Sequence, residues 1–196
     1  MSQTSLEDML FGPAIADRAC GDCIACCVWP ALDSPEFSKP ARDVCIYCTG
    51  TDCGVYPTRP QVCRTFDCVW RRAAGLPPEA RPDKLGLMFS IEREAEPKTV
   101  FENLYILASA DRDPAELHSS LADGVIGALS RNVLPIFIAW DGIKVMVHPP
   151  APLAAGIADP SKAETAVAED AARWLKAYAP YARYGAGFNV KLPAGF

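Results

Sequence analysis

Histidine is scarce in this chain, with two in 196 residues, and cysteine is missing from everything after Cys68. The first shortage disfavours a histidine-rich catalytic zinc site. His118 and His148 both lie far from any cysteine, one on an expected helix and one at the end of an expected strand. A basic excess is missing too. The 19 Lys and Arg against 24 Asp and Glu leave a net charge of -5. Sequence-independent nucleic-acid binding, which needs a basic face to displace counterions, is therefore not expected. No apolar run approaches the ~18 residues of a membrane span. The first residues, Met-Ser-Gln-Thr-Ser-Leu-Glu-Asp, lack the basic and apolar regions of a secretory signal. A cytoplasmic protein without a membrane partner is the expectation. Gly185-Ala186-Gly187 lacks the third glycine and preceding strand of a phosphate-binding loop, and no H-E-x-x-H or Ser-His-Asp arrangement can be read out.

What is present is concentrated. All nine cysteines, at Cys20, Cys23, Cys26, Cys27, Cys45, Cys48, Cys53, Cys63 and Cys68, fall in one stretch rich in Pro, Gly, Asp and Thr. In a reducing compartment such a set reads as metal ligands or redox groups, and an odd count cannot be fully paired as disulfides. Two cysteines three apart in a tight turn can aim both sulfurs at one ion, at about 2.3 Å for zinc. That spacing occurs at Cys20/Cys23, Cys23/Cys26 and Cys45/Cys48. Cys20, Cys23 and Cys26 match the first three positions of the run that holds bacterial-type iron–sulfur clusters. Eight of the nine thiols could instead fill two tetrahedral zinc sites, leaving one spare. The C-x3-C-x2-C spacing of radical S-adenosylmethionine enzymes is absent, because Pro30 stands where Cys23 and Cys27 would require the third cysteine.

A sulfur-only shell is anionic, and burying that charge is costly unless cations or N–H donors face it. Arg59 and Arg64, beside Cys63, are placed by sequence to do so; Arg71 and Arg72 are further candidates.

The rest of the chain reads as scaffold. Leu85, Leu87, Phe89 and Ile91 alternate as in a half-buried strand, and a second strand is expected from about Val100 to Ala108. Asp113-Pro114 marks a helix start, followed by Leu117, Leu121, Val125 and Leu129 on one face. Asp141-Gly142 separates two apolar runs as a hairpin turn does. Asp159-Pro160 starts another helix, carrying Val167, Ala171, Trp174, Leu175 and Tyr178 on one side. The fold class expected is α+β, with a loop-rich cysteine segment packed on a small antiparallel sheet with two helices. Residues 1–80 form the metal-binding segment and 81–196 the α+β scaffold, with the possibility of a single compact domain.

With the spacing set out, C-x2-C-x2-C-C at 20–27 and Cys53-x2-Tyr56-x2-Arg59-Pro60-x2-Cys63-Arg64-x-Phe66-x-Cys68 resemble the YkgJ family of CxxCxxCC cysteine-cluster proteins. That family is described as chelating zinc or iron. The resemblance covers about a quarter of the chain and stops before Lys84. It implies a zinc or iron cofactor held by the cysteines above, with Cys45 and Cys48 less firmly anchored by the motif. Flagellin lysine-N-methylases carry a similar cluster in a much larger chain and associate it with S-adenosylmethionine. Three functions follow: a metal-binding protein with a structural or redox site, an iron–sulfur enzyme of methyltransferase type, or a metal-delivery or protein-interaction module.

Overall fold

The computed structural model describes residues 6–97, 102–113, 117, 119–130, 134–140 and 143–148. The expected helix after Asp159-Pro160, His118, and the turn residues Asp141 and Gly142 lie outside them. The protein is α+β, and it divides into two compact units: residues 1–90 with 109–111, and residues 91–108 with 112–196. The division passes through two strands.

The first unit holds all nine cysteines. Its helices are single turns: α1 (Leu6–Phe11), α2 (Ala25–Val28), α3 (Gln61–Thr65), α4 (Val69–Arg72) and α5 (Pro82–Leu85). Prolines and glycines explain their brevity, since Pro60 and Pro82 can sit only at helix starts and Gly86, in a left-handed conformation at φ +77°, ends α5. A two-residue antiparallel ladder joins β1 (Leu32–Asp33) to β2 (Ser38–Lys39). Between Cys27 and Cys45, where three prolines interrupt the chain, the backbone is held by pairing with its own ends. Arg42 N–H donates to Trp29 O at 3.3 Å and Cys45 N–H to Cys27 O at 2.8 Å. The core of this unit is Ala25, Val69, Trp70, Leu76, Ala80, Leu85 and the start of β3 (Leu87–Glu92). Leu87, Met88, Phe89 and Ser90 are all buried. The strand is covered on both faces there, where the alternating pattern predicts burial on one.

In the second unit, β5 (Ile136–Trp140) and β6 (Ile143–His148) pair antiparallel, with Trp140 opposite Ile143. That register leaves a two-residue connection, as the Asp-Gly signal requires. With β4 (Tyr105–Ala110), the larger sheet runs in the order β3-β4-β5-β6. The start expected at Asp113-Pro114 runs into residues 114–116, outside the described residues; the helix described in this region is α6 (Ser120–Leu129). Leu117 lies outside it, and Ser119 is the cap, its hydroxyl accepting from Ala122 N–H at 3.0 Å. The buried face is Ala122, Val125, Ile126 and Leu129, so Val125 and Leu129 are buried as expected, as is Leu117 before the helix, while Leu121 is only half-buried and Ala122 and Ile126 complete the face. Tyr105 and Phe137 stack with ring centroids 4.9 Å apart. Lys144 lies over both rings and bridges Glu94 and Glu102 at 2.6 and 3.0 Å. No helix among the described residues is long and apolar enough to cross a membrane.

Candidate metal centre

The cysteines lie in two neighbourhoods, each built by backbone hydrogen bonds. The larger one starts where α2 ends. The Cys27 carbonyl accepts from Cys45 N–H, and the Cys45 carbonyl from Cys48 N–H at 2.9 Å, closing a C-x2-C turn. Within that turn Tyr47 N–H points at the Cys45 sulfur, 3.4 Å away. A narrow hairpin follows. Gly54 N–H donates to Tyr47 O at 2.9 Å, and Cys48 pairs with Cys53 as an antiparallel bridge. Gly50 at the tip has φ +96°, a conformation that favours glycine. Side chains complete the grouping. Cys26, buried surroundings and again Cys26 as a charge push the Cys27 thiol up, while Cys48, within hydrogen-bonding reach, pulls it down. Burial first, then Cys45, Cys27 and Cys53, push up the Cys63 thiol on α3, and Arg59 opposes them. Cys26, Cys27, Cys45, Cys48, Cys53 and Cys63 thus share one region.

Two cations belong to it. Lys39 is buried, its ammonium donating to the carbonyls of Val28, Pro30 and Pro40 at 3.1, 2.6 and 3.1 Å. Burial holds it below its ordinary pKa, and Cys45, Asp43, Cys27 and Cys26 pull the other way. Arg59 lies over the Tyr56 ring, 4.0 Å from its centroid, and its Nε is buried without a hydrogen-bond acceptor among the described residues. A buried orphan donor is costly unless an anion or water meets it. A thiolate or sulfide near Cys63 would be such an anion. Arg64, expected to face the sulfurs as well, is exposed and bonds to Gln61 Oε1 at 2.8 and 3.2 Å.

The smaller neighbourhood is Cys20, Cys23 and Cys68. Cys23 N–H donates to Cys20 O at 3.0 Å in a turn that Gly21 makes at φ +56°. The segment leading into it lies along α4, which begins just after Cys68. Ile15 N–H donates to Arg71 O at 2.8 Å, and Arg71 Nε to Arg18 O at 2.9 Å. Burial pushes the Cys68 thiol up to about 11; the Arg71 N–H opposes this, and Cys20 and Cys23 add to it. Burial also pushes Cys23 up, against the N–H groups of Ala25 and Asp83 and together with the Asp83 carboxylate. Arg71 and Arg72 are not free to face sulfur alone, since both pair with Asp67.

Lys39, Arg81 and Asp83 belong to no motif in the sequence. Lys39 looks like an ordinary polar residue between prolines, and its burial becomes visible only with three carbonyls folded around it. Among the described residues, no three Cys, His, Asp or Glu side chains meet at the spacing of a closed metal shell. The donor types, though not their spacing, suit a thiophilic ion. The sulfurs are concentrated, N–H groups point at three of them, and a buried ammonium and an orphan guanidinium N–H lie beside the larger group. No family model, characterised protein or solved structure matches the chain.

Proposed function

We propose that this is a metal-binding protein whose cysteine segment holds zinc or an iron–sulfur cluster in a structural or redox role. The observation that carries the reading is the turn at Cys45–Cys48. There a backbone N–H is aimed at a sulfur in a segment where main-chain bonds join Cys27 to Cys45, Cys45 to Cys48 and Cys48 to Cys53. N–H donors to sulfur stabilise the thiolate, the form that binds metal. Zinc would supply a structural crosslink, and an iron–sulfur cluster would supply electron transfer. In this reading the chain's own residues are the thiolate ligands, with Lys39 and Arg59 offsetting their charge. It is the reading that the resemblance to zinc- and iron-chelating cysteine-cluster proteins also implies.

A delivery or docking role has one specific observation in its favour. Val44, just before the turn, and Ile46, within it, are 61% and 79% exposed, and Tyr47 in the turn is exposed too. Apolar side chains around a metal turn suit contact with a protein that takes the metal. Methyl transfer with S-adenosylmethionine rests on the resemblance alone.

Anaerobic purification followed by elemental analysis and an absorption spectrum tests the proposal. A colourless protein carrying zinc supports the structural role. A brown protein with broad visible absorption supports the cluster. Rapid loss of the metal to a mild chelator supports delivery.

A further inference from the structure

Cys48 and Cys53 stand opposite one another across the narrow hairpin that follows the Cys45–Cys48 turn. They form an antiparallel bridge whose hydrogen bonds lie outside the pair itself. Gly54 N–H donates to Tyr47 O at 2.9 Å, and Thr49 N–H to Asp52 O at 3.0 Å. The two cysteines therefore occupy a non-hydrogen-bonded position, where the Cα atoms of an antiparallel pair stand about 4.5 Å apart and the side chains lie closest. A disulfide needs a Cα separation of roughly 4.4 to 6.8 Å, so one can close here with little backbone movement. The tip of the hairpin is braced. The Thr49 hydroxyl donates to the Asp52 carboxylate and accepts from Asp52 N–H at 3.1 Å, and Gly50 takes φ +96°. Access is open as well. Both cysteines are free and half-buried, and Thr49, Gly50, Thr51, Asp52 and Gly54 around them are exposed.

We propose that Cys48 and Cys53 are a thiol–disulfide redox site, closed by exchange with a small-molecule disulfide. One of the two cysteines, as thiolate, attacks a sulfur of the small disulfide, forming a mixed disulfide and releasing one small thiol. The cysteine opposite, as thiolate, then attacks the protein sulfur of the mixed disulfide and releases the second small thiol. The protein pair gives up two electrons and two protons, and the small disulfide takes them and leaves as two thiols. The hairpin holds the second cysteine ready for that step, so the mixed disulfide does not accumulate. The inference is independent of the metal-binding reading, because a pair set for closure needs no ion. It adds one consequence to that reading, since closure withdraws both sulfurs as thiolate ligands.

The test uses the full chain as purified anaerobically, equilibrated in a series of mixtures of oxidised and reduced glutathione. Free thiols are then alkylated, the chain is cleaved before aspartate, and the peptides are identified by mass spectrometry. Residues 43–51 carry Cys45 and Cys48, and residues 52–66 carry Cys53 and Cys63. The expected product is these two peptides joined, with Cys45 and Cys63 alkylated. It should form before any other cysteine pair closes, with an equilibrium constant larger by about ten-fold or more, which is about 30 mV in potential. In strong denaturant, where only spacing along the chain acts, that lead should disappear. Gly50→Ala, strained at φ +96°, should lower the constant by about five-fold or more. Closure of another pair first, or a lead that persists in denaturant, overturns the proposal and leaves metal binding standing. An unchanged constant in Gly50→Ala overturns it too, because the hairpin would then not be what sets the pair.

Discussion

The guanidinium of Arg18 donates to the carbonyl oxygens of Trp70, Ala73 and Leu76, and its face lies 5.3 Å from the Trp70 ring centroid. It gathers the carbonyls left open at the end of α4, where a cation is favoured. Charge-assisted hydrogen bonds contribute about 1.5 to 3 kcal/mol each. Arg18→Ala is therefore expected to lower the stability of the metal-free fold by about 3 kcal/mol in urea denaturation, and a change below about 0.5 kcal/mol would show that water replaces the arginine. Gly21 is the second residue on which the small cysteine group depends. Gly21→Ala places a side chain at φ +56° and 3.3 Å from Arg81 Nη1, and should cost about 1 to 2 kcal/mol by the same measurement. Neither residue carries a motif. Arg18 is one of many arginines in sequence, and its role depends on carbonyls more than fifty positions away. The cysteines themselves were legible, because thiols at i and i+3 are chemically specific wherever they occur. Arg59 beside Cys63 was legible for the same local reason, whereas the neighbouring Arg64 bonds within its own helix turn to Gln61.

Among the elements, α6 starts at a side-chain cap, with Ser119 Oγ accepting from Ala122 N–H. Ser119→Ala should cost about 1 kcal/mol in thermal or urea unfolding, and Ser119→Asp should recover most of it. Equal stability of all three proteins would show that the cap is not needed. The hairpin joining β5 and β6 was readable because its turn chemistry is local. The complete burial of Leu87 to Ser90 was not, since alternation reports one covered face and cannot report a second. The cysteine loops follow the same rule. The turns at Cys20–Cys23 and Cys45–Cys48 are local and were expected, but the pairing of Cys27 with Cys45 and of Cys48 with Cys53 depends on closure of loops that spacing does not describe.

For the whole molecule, metal binding and pH act through the same thiols. Cys68 rises from 9.0 to about 11 in the fold, and Cys23, Cys27 and Cys63 shift in the same direction. A raised thiol keeps its proton in the folded state while the unfolded chain has already lost it. The stability it contributes is complete below the unfolded value and disappears as pH rises to the folded one. The metal-free protein should therefore lose stability between pH 9 and about 11, by roughly 3 kcal/mol from Cys68 alone. A flat denaturation midpoint over that window would contradict this. With metal bound the thiols are already deprotonated, so the loss should vanish, and loading should release protons and weaken as pH falls. Structural zinc contributes about 10 to 16 kcal/mol in small peptides, far more than any single contact described above. Whether these cysteines hold a metal decides the function. The direct measurement is elemental analysis of the anaerobically purified full chain, paired with a count of reactive thiols before and after chelation. The account predicts at least one equivalent of zinc or iron, with four or more thiols becoming reactive as it is removed. A protein that carries neither metal, takes up none, and shows all nine thiols reactive from the start would contradict it.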